Sequence, residues 1–132
     1  MDKQSITILV IEDHEAFRDI LVKILTLNHY RVVAVDLGSQ GLQAAKQEKP
    51  DVIILDIMMP ELDGYETCRR LRAMPELANV PIIMLTALSA KEVKIKAQEA
   101  GANACLSKPC PINVLETVIR ENLELSSQKQ ST

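Results

Sequence analysis

Five polar side chains stand where short apolar runs stop: Glu12 and Asp13 after the run that starts at Ile6, Asp56 after Val52–Leu55, Thr86 after Pro81–Leu85, and Lys108 after Ala104–Ser107. Each has an ordinary use on its own. Glu12 and Asp13 favour a helix N-terminus through its dipole, Asp56 caps a turn, Thr86 ends a strand and Lys108 is a solvated lysine. Their joint occurrence at successive strand ends is what carries weight. Gathered together, three carboxylates repel and raise one another's pKa unless a cation sits among them. Oxygen-only ligands suit Mg2+, which keeps waters and completes its octahedron with phosphate oxygens. With the repulsion reduced, one carboxylate oxygen can attack a phosphoryl group in line, while Lys108 and Thr86 hold the oxygens on which charge accumulates. Asp56 is the candidate nucleophile.

The elements that must position these groups are legible as an alternation of short apolar runs with longer amphipathic stretches, the pattern of a parallel sheet covered on both faces by helices. Strands are expected at Ile6–Ile11, Arg31–Val35, Val52–Asp56, Pro81–Thr86 and Ala104–Ser107. Phe17, Ile20, Leu21, Ile24 and Leu27 recur at helical steps and predict a core-facing stripe. A second helix is expected from Ser39 as N-cap through Leu42 and Ala45, stopping before Pro50. The third follows Asp63-Gly64, turns Tyr65, Cys68 and Leu71 inward and leaves Arg69, Arg70 and Arg72 solvated; Pro75 marks its end. The fourth, from about Ser89 to Ala100, has only Val93 and Ile95 as larger apolar residues and stops at Gly101. The last opens with Pro111 in its first turn and repeats Ile112, Leu115, Ile119 and Leu123. Five such units imply a doubly wound α/β sheet, with its binding crevice at the carboxyl ends of the strands.

Length and composition narrow the function classes. The chain has 132 residues, 47% of them hydrophobic, which suits one core. Its net charge of -3 offers no broad basic face, so direct nucleic-acid binding is not expected. The apolar runs fall far short of the roughly 20 residues of a membrane-spanning helix. The N-terminus lacks the apolar region of a secretory signal, so a cytoplasmic location is expected. Cys68, Cys105 and Cys110 have neither metal-site nor disulfide spacing and are read as free thiols. His14 and His29 are read as structural or solvent-facing. Met58, Met59 and Met84 are assigned to loop and core packing. Lys91, Lys94 and Lys96 form a solvated helix face.

Four motifs, Val10-Ile11-Glu12-Asp13, Asp56-Ile57-Met58-Met59-Pro60-Glu61-Leu62-Asp63-Gly64-Tyr65-Glu66, Leu85-Thr86-Ala87 and Ser107-Lys108-Pro109, together resemble the receiver domain of two-component response regulators. The resemblance covers residues 5–125, with 126–132 left as a polar tail or the start of a linker. It implies a five-stranded (βα)5, flavodoxin-like sheet of order 2-1-3-4-5. It implies that Asp56 accepts a phosphoryl group from the phosphohistidine of a histidine kinase or histidine phosphotransfer protein. Glu12, Asp13, Asp56 and the backbone carbonyl of Met58 would bind Mg2+, and Thr86 and Lys108 would contact the phosphoryl group. A cis bond before Pro109 is also implied. The output would pass to a downstream protein or output domain, with room for a homodimer and without turnover of external substrates.

The chain departs from the family where an aromatic residue usually stands three positions before the lysine. Cys105 occupies that place, and Cys110 replaces a frequent phenylalanine after Lys108-Pro109, so an aromatic switch cannot operate at 105. A smaller repacking at Cys105 and the lightly anchored fourth helix is the expected substitute. Competing classes are a pseudo-receiver that binds partners without phosphorylation, a flavin-binding electron carrier and an aspartyl phosphatase. The acidic pair after the first strand opposes the flavin reading, because that loop would repel phosphate without a metal. A nucleophile after the third strand, with no room for a cap domain, opposes the phosphatase.

Overall fold

The computed structural model describes residues 6–88 and 91–130. Five parallel strands, β1 (Thr7–Ile11), β2 (Arg31–Val35), β3 (Val52–Asp56), β4 (Ile82–Thr86) and β5 (Ala104–Ser107), form one sheet in the order 2-1-3-4-5. Five helices connect and flank them: α1 (Glu15–Leu27), α2 (Gly38–Glu48), α3 (Gly64–Arg72), α4 (Lys91–Ala100) and α5 (Ile112–Gln130). The expected topology is the observed one. β1, β3 and β4 are buried along their whole length, as expected of strands covered on both faces. Alternating side chains feed two apolar layers. Leu9, Ile53 and Met84 pack on the side of α2, α3 and α4, while Ile8, Ile54 and Ile83 pack with Leu21, Leu25, Leu115 and Ile119 of α1 and α5.

Several local expectations need correction. In α1 the side turned to the sheet carries Phe17, Leu21 and Leu25, whereas Ile20 and Leu27 are more than half exposed. The stripe is therefore rotated from the one the apolar spacing suggests. Helix α2 starts at Gly38 with Leu37 as an extended N-cap lacking a side-chain bond; Ser39 already lies inside the first turn. Close packing fixes that start, since a Cβ on Gly38 would meet Thr67 Oγ1. Helix α4 is lightly anchored, as expected: Ile95 is exposed, Val93 is partly buried, and the residues it buries are Ala97 and Ala100. The expected start at Ser89 lies outside the described residues. Helix α5 continues through the polar residues 126–130, and the Ser126 hydroxyl donates to the Asn79 carbonyl.

Arg72 departs furthest from expectation. It is tucked against the amino ends of β4 and β5 instead of facing water. Its guanidinium donates to the carbonyls of Gly101 (2.9 Å), Leu77 (2.7 Å) and Val80 (2.6 Å) and to Asn103 Oδ1 (2.5 Å). Asn103 Oδ1 also accepts from Ile82 N–H at 2.8 Å. Arg69 and Arg70 stay exposed and pair with Glu66.

Candidate functional site

Strand register brings the polar ends together. Ile11 pairs with Leu55, so Glu12 emerges level with Asp56. Asp56 pairs with Leu85, and Thr86 with Ser107, so Thr86 and Lys108 follow one step further across the sheet. The Lys108 N–H donates to the Thr86 carbonyl at 2.8 Å, and the Lys108–Pro109 bond is cis, as the resemblance implies.

The resulting cleft, about 380 Å3, is lined by Asp13, His14, Phe17, Asp56, Met58, Ala87 and Lys108. Carboxylate oxygens of Glu12, Asp13 and Asp56 all lie within 4.8 Å of one another. Glu12 is 2% exposed and Asp56 6%. Lys108 Nζ sits 2.5 Å from Glu12 Oε1 and 3.7 Å from Asp56 Oδ1. Burial first, and the charge of Glu12 second, push Asp56 up to about 7; Lys108 and the Met58 N–H, which donates to Asp56, pull the other way. One ammonium does not offset three carboxylates. This set of hard oxygen donors, closely spaced and short of positive charge, fits a small divalent cation.

Local structure holds each group in place. Glu12 N–H donates to Val35 O, its carbonyl accepts from Arg18 at 3.0 Å, and Glu12 Oε2 accepts from His14 N–H at 3.1 Å. His14 is the N-cap of α1, its Nδ1 accepting from Phe17 N–H at 3.2 Å. Asp63 caps α3 by accepting from Glu66 N–H. Gly64 N–H donates to Ile57 O, and a Cβ on Gly64 would stand 2.4 Å from the Asp56 carbonyl oxygen. The backbone of α3 therefore presses directly on the residue at the centre of the cleft. Met58 is exposed at the rim, while Met59 and Met84 are buried.

Thr86 closes β4, next to Ala87 of the cleft wall. It is buried, and its hydroxyl accepts from Leu88 N–H at 3.1 Å; that bond leaves the hydroxyl proton free for another acceptor. Two contributors escaped the sequence reading. Phe17 lies under Lys108, with Nζ 4.3 Å from the ring centroid. Arg18 ties α1 to the end of β1. A Ser/Thr/Asp/Asn search misses a histidine cap, and the helical period gives only the apolar side of Phe17.

The chain belongs to the response regulator receiver domain family, whose pattern it matches over residues 8–120. It is 42% identical over 120 residues to a probable transcriptional regulator, ycf27, of Porphyridium aerugineum, an alignment covering 91% of this chain and 49% of that protein. The chain thus spans about half the length of the curated relatives it matches first. Among solved structures it resembles a putative response regulator from Chloroflexus aurantiacus (34% identity, TM-score 0.85, covering 89% of this chain and 97% of that one). It also resembles the receiver domain of the sensor histidine kinase PA1611 from Pseudomonas aeruginosa, solved with magnesium in its active-site cleft (31% identity, TM-score 0.83, 89% and 97% covered). Among the described residues no helix is long and apolar enough to cross a membrane.

Proposed function

We propose that this receiver domain is a phosphoacceptor switch in a two-component phosphorelay, with Asp56 as the residue modified. The observation that carries the reading is the charge imbalance of the cleft. Asp56 is buried beside Glu12 and Asp13, with Lys108 as their neighbouring ammonium. Glu12, Asp13, Asp56 and the Met58 carbonyl would hold Mg2+. When bound, the ion supplies charge neutralisation for the carboxylates and for phosphoryl oxygens. An Asp56 carboxylate oxygen attacks the phosphorus of a phosphohistidine on a histidine kinase or phosphotransfer protein. The new P–O bond forms as the P–N bond breaks, and the electron pair leaves with the imidazole, which takes up a proton. Lys108 and the Thr86 hydroxyl donate to the phosphoryl oxygens, the latter with the proton its bond to Leu88 leaves unused. The phosphorylated domain changes its contacts with a downstream protein or output domain, or with a second copy of the chain, without turnover of external substrates. A cytoplasmic setting is the one in which such partners meet it.

The test is incubation with Mg2+ and acetyl phosphate, followed by intact mass measurement beside Asp56→Asn. A single phosphoryl adduct that requires Mg2+ and is absent from the variant is expected. No adduct with any small phosphodonor would favour a phosphorylation-independent interaction module.

A further inference from the structure

Among the described residues Lys108 Nζ approaches Glu12 Oε1 at 2.5 Å, Asp56 Oδ1 at 3.7 Å and the face of the Phe17 ring at 4.3 Å. The first two are carboxylates of the acidic triad. A divalent cation would compete with Lys108 for both carboxylates, so both contacts weaken when the metal is bound. A hard cation has no use for a phenyl ring, and the third contact survives. The ring is also held in place. Its backbone N–H is bonded to the His14 cap, and its side chain is partly buried in the apolar layer beneath α1 and α5.

We infer that Phe17 is a positioning residue for Lys108, the neighbour that keeps the ammonium over the cleft once Glu12 has been drawn to the metal. The inference rests on the phosphoacceptor reading for its consequence, though not for its geometry. An aromatic face attracts a cation through its quadrupole, whereas an aliphatic side chain of similar bulk fills the same space without that attraction. Phe17→Leu therefore keeps the packing and removes the electrostatic contact, and Phe17→Tyr keeps both.

Two measurements test it. The first is the NMR ring-current shift at the ε-methylene of Lys108, recorded without Mg2+ and at saturating Mg2+. An upfield displacement that persists with Mg2+ in the unmodified chain and in Phe17→Tyr, and disappears in Phe17→Leu, is expected. Its loss on adding Mg2+ to the unmodified chain would overturn the inference. The second is the rate of adduct formation with acetyl phosphate at saturating Mg2+. Phe17→Leu is expected to be slower by about three- to tenfold, with Mg2+ affinity unchanged and with the rate restored in Phe17→Tyr. Equal rates in all three chains would also overturn it. A chain that forms no adduct at all counts against Asp56 as phosphoacceptor, and the ring-current measurement then decides the role of Phe17 by itself.

Discussion

At the carboxyl ends of the strands three carboxylates have Lys108 as their close cationic neighbour, whereas at the amino ends the guanidinium of Arg72 meets four oxygens that carry no full charge. Both arrangements bury charge. The first leaves electrostatic repulsion unresolved, and the second satisfies a cation with carbonyl dipoles and one amide. A site meant to accept a cation and an anionic group needs the former. A joint between α3, the approach to β4 and the approach to β5 needs the latter. The structural joint and the site of the proposed chemistry thereby lie at opposite ends of the strands, so a change at one end should leave the other largely intact.

The largest effect that would break this division is expected from Arg72→Ala. Removing the guanidinium leaves the acceptors on Leu77, Val80, Gly101 and Asn103 without their partner, and unfolding in urea should show a loss of about 3 kcal/mol. Adduct formation at Asp56, measured well below the denaturation midpoint, should be retained. A variant of full stability would mean that the joint contributes nothing.

The next effect belongs to the other end. Because the folded carboxyl of Asp56 lies near 7, above its value of about 4 in an unfolded chain, the native state binds this proton more tightly. The contribution is therefore favourable below pH 4 and is lost as pH rises from about 4 through about 7. Without Mg2+, urea unfolding at pH 5 and pH 8 should differ through this group by on the order of 2 kcal/mol, in favour of pH 5. Asp56→Asn or added Mg2+ should flatten the difference. A pH dependence identical in the variant would show that the repulsion is relieved some other way.

The smallest effect sharpens the boundary between the two roles. His14 lines the cleft but acts on Phe17 N–H as a helix cap, so His14→Ala should cost about 1 kcal/mol of stability. Thermal unfolding reads the cost directly, and His14→Asn, which keeps a capping oxygen, should recover most of it.

The sheet was legible in the sequence because strands buried on both faces leave uninterrupted Val, Ile and Leu runs, and their ends coincide with the polar residues of the cleft. Observed and expected strands differ by a single residue at the start of β1 and of β4. What escaped was decided by tertiary packing. Arg72 follows Arg69 and Arg70 in a run of basic residues, and only the return of the chain at Leu77, Val80 and Gly101 distinguishes it from them. Ile20 and Leu27 satisfy the helical period as well as Leu25 does, yet the sheet accepts only one side of α1. Ser39 is a better capping residue than Leu37, but Gly38 allows the approach to α3 that sets the helix start. At the site, the identities of Glu12, Asp13, Asp56 and Lys108 could be read from strand ends. The ring beneath Lys108 could not, since neither period nor motif says which neighbour a half-buried aromatic meets.

Position 64 gives the loop after Asp56 an unusual standing in sequence space. Every amino-acid replacement of this glycine introduces a Cβ, and that atom would lie 2.4 Å from the Asp56 carbonyl oxygen and 2.5 Å from Ile57 Cα, both of them backbone. At Gly101 the nearest obstruction is the Arg72 side chain, which can move at some cost even though the left-handed backbone there is strained for any replacement. Gly64 has no such give. A lineage drifting away from the proposed function could change the Asp56 side chain without a backbone clash of this kind, but it cannot lose Gly64 first without displacing the strand end that carries Asp56.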